Sequence, residues 1–168
     1  MDMKSSYALL DRVLVLKKSA IFANVPTGDL RSVAAIASEL RFRQGESILS
    51  ENGINDSLYL IRSGSVRVTR SGGSSSGGGG GIAGFATLGP GECFGEMAAI
   101  EEEVCAVSVN VVQECVVLRV GKEDLRNVMR ENPGIGMELL RIFVRRLRAA
   151  NRRIEELLEM PEATGYAI

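Results

Sequence analysis

Apolar residues change their spacing twice along the chain. Leu9, Leu10, Val13, Leu14 and Leu16 recur at helical spacing and run into Lys17-Lys18, a basic pair suited to a helix C-terminus. Pro26-Thr27 opens a second helix, with Thr27 as the expected N-cap, Asp29 in the first turn, and Leu30, Val33, Ala34 and Ala37 on one face. From Arg41 to Val120 the period shortens. The runs Ser57 to Ile61, Ser65 to Thr69, Ala106 to Val112 and Cys115 to Val120 read as strands, punctuated by turns at Gly45, Gly53, Gly64, Gly89 and Gly91. Many short strands between turn signals predict an antiparallel sandwich or roll. Helical spacing then returns. Lys122 to Arg130 predicts a short helix stopped by Asn132-Pro133-Gly134, and about Ile135 to Leu158 a long one.

In the long helix, Leu140, Phe143, Leu147, Ala150, Ile154 and Leu157 are spaced 3-4-3-4-3, a heptad seam. Leu140 and Phe143 are expected to pack on the chain's own roll. Farther out, Leu147, Ala150, Ile154 and Leu157 are expected to pair with a second copy in a parallel homodimer. The same helix carries Arg141, Arg145, Arg146, Arg148, Arg152 and Arg153. They read as a solvated face whose long stems cover apolar surface, rather than as a DNA-contacting helix. No second helix follows in a helix-turn-helix arrangement, so no DNA-binding domain is expected in this chain. Residues 71–84 are nearly all Gly and Ser and predict a flexible hairpin loop; they contain no Gly-x-x-x-x-Gly-Lys-Ser/Thr phosphate loop.

Composition narrows the chemistry. At 168 residues, 45% hydrophobic and 24% charged, the chain fits one globular domain with a helical extension. It contains no His, which removes Ser-His-Asp and Cys-His nucleophile pairs, His-liganded zinc and an imidazole switch. No enzymatic constellation remains, and no metal set. Aromatic residues are 5% and Trp is absent, so base-stacking platforms are poorly supplied. Cys93, Cys105 and Cys115 are odd in number and widely spaced, which suits reduced thiols in the cytoplasm. Neither a signal peptide pattern nor a membrane-length apolar run is expected.

The chemistry concentrates between Leu88 and Val109. Gly89 and Gly91 make tight turns, Phe94 is an expected buried anchor, and Gly95 is expected to let backbone come close to a ligand. Glu96-Met97-Ala98-Ala99-Ile100 can form one helical turn whose free N–H groups face an anion. Glu96 could accept from a sugar hydroxyl. Together these point to a small pocket for a sugar phosphate.

Phe94-Gly95-Glu96-Met97-Ala98 and Ile100 resemble the phosphate-binding cassette of cyclic nucleotide-binding domains. Gly45-Glu46 and Leu58 to Val68 resemble the family's early strands, and Val120 to Met129 the short helix after its roll. The resemblance implies a mainly β fold with flanking helices, a double-stranded, jelly-roll-like β-roll of about eight strands. It implies cAMP or cGMP as ligand and no other cofactor, with Glu96 on the ribose 2'-hydroxyl and the N–H groups of Ala98 and Ala99 on the cyclic phosphate. One position departs. Val104 stands where the family has Pro, Cys105 where it has the phosphate-binding Arg, and Ala106 supplies no hydroxyl. A charge-assisted fork is worth about 1.5–3 kcal/mol, so its loss weakens an anion by at least about one to two decades.

The expected organisation is N-terminal helices over 1–40, a roll over 41–120 interrupted at 71–84, C-terminal helices over 121–158 and a tail over 159–168. The expected site is Phe94, Gly95, Glu96, Met97, Ala98, Ala99, Cys105 and Ala106. The expected role is regulatory sensing of a small ligand. The alternative is a ligand-independent dimerisation module that kept only the fold.

Overall fold

A computed structural model describes residues 3–71, 82–97 and 104–159. Helices α1 (Met3–Lys17) and α2 (Thr27–Ile36) precede strands β1 (Ser38–Phe42), β2 (Ser47–Leu49), β3 (Ser57–Ser71), β4 (Ile82–Leu88), β5 (Cys93–Phe94) and β6 (Ser108–Gly121). Helices α3 (Lys122–Glu131) and α4 (Pro133–Glu159) follow. The six strands form one antiparallel sheet in the order β1-β6-β3-β4, with β2 added to β6 and β5 to β3.

Among the described residues the strands number six, because two pairs of expected strands are each continuous. β3 pairs with β5 at Tyr59 and Leu60, then with β4 from Val66 onward. β6 pairs with β2 near Val109 and Asn110, then with β1 from Cys115 to Arg119. Arg62-Ser63-Gly64 is therefore not a turn. It is an irregularity inside β3, where the register with β6 shifts between Ile61 and Ser63 and again between Ser63 and Ser65. Such shifts bend a long strand and let it serve both halves of a roll.

Alternation along these two strands builds two cores. Leu58, Leu60, Leu118 and Val120 face the helices, where they meet Leu16, Phe22, Leu30, Val33, Leu125 and Ile135. Tyr59, Ile61, Val66, Val111, Cys115 and Val117 face the roll interior. A side-chain period of two sends successive residues to opposite faces, so each long strand stabilises both layers.

Helix boundaries differ from expectation in two places. Pro26, not Thr27, is the N-cap of α2; no side chain caps it, and its carbonyl accepts from Asp29 and Leu30 N–H at 3.0 and 3.1 Å. The short helix stops at Asn132 as expected, but the long helix begins at Pro133 rather than about Ile135, because at the first helical position proline's missing N–H removes no helical bond. Ile135, Leu139 and Ile142 anchor α4 on the helical core, with Phe143 packed beside them. Beyond Phe143 every described side chain of α4 is exposed, including Leu140's outward neighbours Val144 and Leu147. Leu140 itself is 55% exposed, so it does not pack on the roll as expected.

Residues 72–81 of the expected loop lie outside the described residues. Ile82, Ala83 and Gly84 do not belong to it; they pair with Ser71, Arg70 and Thr69. Replacing 72–81 with a single β-turn is expected to keep or raise Tm, since closure becomes easier. A deletion reaching Gly84 is expected to lower Tm, because it removes those strand pairings. Thermal melts of the two variants check both.

Candidate ligand-binding site

The expected cassette begins in a short strand held by local turns. Gly91 takes φ +86 and donates its N–H to Ile61 O at 2.9 Å, while Ile61 N–H donates to Glu92 O at 2.9 Å. This seats β5 against β3, with Phe94 opposite Tyr59 and Cys93 opposite Leu60. The Phe94 and Tyr59 rings stack, with centroids 5.1 Å apart and planes 9° from parallel. Phe94 is buried, as expected of an anchor.

Gly95 lines a cavity and also packs closely on the chain's own backbone. Its φ is +76, and a Cβ there would lie 2.6 Å from Ser57 O and 2.7 Å from Asn55 Nδ2. The close approach is to the chain's own 55–57 turn. Asn55 holds that turn, donating from Nδ2 to Ser57 O at 2.8 Å and accepting Ser57 N–H at 3.1 Å. Glu96 and Met97 then begin a helical turn. Ala98, Ala99, Ile100 and Glu101 to Glu103 lie outside the described residues.

The chain returns at Val104, which bridges Ile54. Cys105 is fixed by its backbone: it donates N–H to Gly53 O and accepts Asn52 N–H, both at 2.8 Å. Phe94, Gly95, Glu96, Met97, Cys105 and Ala106 thus converge on one cavity of about 280 Å³. Leu49, Val68, Leu88, Val107 and Val109 supply most of its remaining wall. Among the described lining residues there is no Lys or Arg.

Arg146 of α4 lies outside the expected site, yet its guanidinium pairs with the Glu96 carboxylate and donates to Cys93 Sγ at 3.6 Å. Arg141 likewise pairs with Glu138 of its own helix. The arginine run is therefore not wholly a solvated face.

All three cysteines are free thiols; Cys93 and Cys115 are buried and Cys105 is partly exposed. Burial raises each above the ordinary thiol range, and for Cys93 the Glu96 charge adds to it, giving about 11. In the folded protein at neutral pH, a disulfide reagent is expected to modify Cys105 first. Cys93 and Cys115 should react only after unfolding, which thiol titration with and without denaturant reads directly. Prompt reaction of two or three thiols would contradict this packing.

An antiparallel roll with an apolar cavity beside its shortest strand, β5, has the form of a small-ligand-binding domain. A family model described as the cyclic nucleotide-binding domain matches residues 39–132. The chain is 30% identical over 158 residues to the cyclic AMP receptor protein of Thermus thermophilus, covering 91% of this chain and 69% of that protein. It is 25% identical over 144 residues to the CRP-like cAMP-activated global transcriptional regulator of Mycobacterium tuberculosis, covering 86% and 62%. The N-terminal domain of a transcriptional regulator from Streptomyces coelicolor A3(2) superposes with a TM-score of 0.71 at 26% identity, covering 83% of this chain and 94% of that one. This chain belongs to the cyclic nucleotide-binding domain family. That family, to which these regulators belong, supports a regulatory ligand-sensing role. It spans 62 to 69% of the length of the two curated relatives named here. Among the described residues no helix is long and apolar enough to cross a membrane.

Proposed function

We propose that this chain is the sensing module of a cytoplasmic regulator, with the ligand held by Phe94, Gly95, Glu96, Met97, Ala98, Ala99, Cys105 and Ala106. The roll over 41–120 binds, the helices over 1–40 brace it, and those over 121–158 carry the response. The supporting observation is the Arg146–Glu96 pair, which ties the one carboxylate in the described pocket wall to the long helix. A ligand that engages Glu96 changes what holds Arg146, and so changes α4. The proposed role is sensing rather than catalysis, in keeping with a ligand-binding family and a chain that lacks imidazole.

A homodimer completes the proposal, through a seam shifted from the expected one. Met137, Leu140, Val144, Leu147, Ile154 and Leu158 are the large apolar side chains of α4 that stand exposed. With Asn151 they are spaced 3-4-3-4-3-4. Phe143 leaves the seam for the chain's own core. Ala150 is exposed beside the seam, and the side chain of Leu157 lies outside the described residues.

The relatives' names point to cAMP as the natural first ligand to test, with cGMP beside it. Calorimetry on the unmutated chain is expected to give high-micromolar or weaker affinity for cAMP, because Cys105 offers the phosphate no cation. Cys105→Arg with Val104→Pro is expected to tighten cAMP at least ~tenfold. Adding Glu96→Gln should return most of that gain. Tight binding before mutation would overturn the role given to Cys105. No rescue in a folded variant would favour the second reading, a ligand-independent dimerisation module, which the exposed stripe on α4 also supports.

A further inference from the structure

We infer that the pocket of this chain takes an uncharged, largely apolar small molecule bearing one hydrogen-bond donor, in place of an anion; this rests on the sensing role proposed above. The wall is made chiefly of Leu49, Val68, Leu88, Phe94, Val107 and Val109. Its ionisable groups among the described residues are Glu96 and the thiols Cys93 and Cys105. The guanidinium that does reach this region, Arg146, is already spent on the Glu96 carboxylate and the Cys93 sulfur. The pair is neutral as a unit, so the described wall offers a phosphate or carboxylate no net attraction. An anion would lose its water without gaining a paired cation, whereas an apolar body gains from the same desolvation.

The rim has the same character. Met97 and Val104 stand 67% and 58% exposed at the cavity, and Val104 bridges Ile54, which is 93% exposed. Large apolar side chains held out at a pocket mouth are suited to an apolar guest. Size agrees as well: a cavity of about 150 Å³ accepts benzene, and this one of about 280 Å³ admits two ring systems. Polar capacity is limited to one side. Asn55 is turned into the backbone of Ser57, while Glu96 gives Oε1 to Arg146 and keeps a second carboxylate oxygen for a ligand donor.

A matched pair of fluorescent probes isolates the charge. N-phenyl-1-naphthylamine is neutral, with two aromatic units joined by one N–H. 1-Anilinonaphthalene-8-sulfonate has the same skeleton with a sulfonate added. The full chain is expected to bind the neutral probe at least ~tenfold more tightly than the sulfonate. Cys105→Arg is expected to reverse that order, and Cys105→Phe to abolish neutral-probe binding while circular dichroism stays unchanged. Binding should persist in Leu147→Lys/Ile154→Lys, which excludes the α4 stripe as the source. Equal or tighter binding of the sulfonate by the unmutated chain would overturn the inference. So would neutral-probe binding that survives in folded Cys105→Phe. If Cys105→Phe does not fold, the order of the two probes in the parent and in Cys105→Arg still decides. Displacement of the neutral probe by micromolar cAMP would overturn the inference and leave the sensing role standing. Failure of both probes and of cAMP to bind a folded chain would remove the sensing role too.

Discussion

Gly64→Ala is expected to destabilise the chain by about 2–5 kcal/mol, enough to consume a large part of the ~5–15 kcal/mol that a domain has. Gly64 takes φ +81, and a Cβ there would fall 2.1 Å from Glu114 O and 2.7 Å from Cys115 Cα. Both obstacles are backbone of β6, so no side-chain rotation relieves them. The left-handed conformation costs an L-residue about 1–2 kcal/mol, and overpacking about 1–3 kcal/mol more. Relief would require β3 and β6 to separate where the sheet passes from one half of the roll to the other. Gly28→Ala in α2 is the matched control. Nothing lies within 4 Å of its added Cβ, and its φ is not in the left-handed region. That variant should be neutral or slightly more stable. Urea midpoints for the two variants make the comparison. A small change at Gly64 would mean that β3 is not bound to β6 at this point.

Gly64 also shows where the sequence is ambiguous. Arg62-Ser63-Gly64 has the composition of a turn, and so do the residues around Gly45 and Gly91, which do turn with φ +86 at each. The difference lies in partners remote in sequence. Ser63 and Ser65 are paired with Val116 and Gln113, about 50 positions onward, and that pairing carries the chain straight through. The strands on either side were legible because alternation is local. Their continuity was not, because it depends on which strand lies alongside.

The site divides along the same line. Phe94, Gly95, Glu96 and Met97 are contiguous, and their residue types are distinctive enough to mark a pocket wall. Cys105 could be placed opposite them by counting along the chain. Asn55 and Tyr59, which shape the cassette from behind, carry no such signal; their contacts with Gly95 and Phe94 cross about 35 to 40 residues. Arg146 is harder still. It is one of six arginines within 13 residues, and nothing in their spacing selects the one that reaches Glu96, 50 positions away. The long helix posed a third kind of ambiguity. Leu140, Phe143, Leu147, Ala150, Ile154 and Leu157 make a heptad stripe, and Leu140, Val144, Leu147, Asn151, Ile154 and Leu158 make another. Periodicity cannot choose between neighbouring stripes. Burial of Ile142 and Phe143 against the chain's own core does, by fixing which side faces out.

The largest change of state is expected from that outward stripe. At tens of micromolar the chain should be a dimer, and Leu147→Lys with Ile154→Lys should make it a monomer with the roll intact. Leu147 and Ile154 are 60% and 55% exposed, and Leu158 is 80% exposed. After Phe143 the helix runs to Glu159 with no buried side chain among those described. A helix of that length is marginal in water by itself, near the ~12–15 residues below which isolated helices fray, so its order calls for a partner helix. Two copies packed through the stripe would bury Leu140, Val144, Leu147, Ile154 and Leu158 together. Asn151 then occupies a core position of the heptad, where a single polar residue lowers stability but selects a parallel, in-register pair. Asn151→Leu should therefore raise the melting temperature of the assembly and admit trimers or tetramers. Ala150→Lys, one residue off the stripe, should leave the dimer in place. Phe143→Lys should lower the stability of the roll instead, because that ring packs on the helical core. Light scattering and sedimentation equilibrium separate these outcomes. A monomeric parent would remove the dimer, and an unchanged distribution in Asn151→Leu would remove the register role of the Asn.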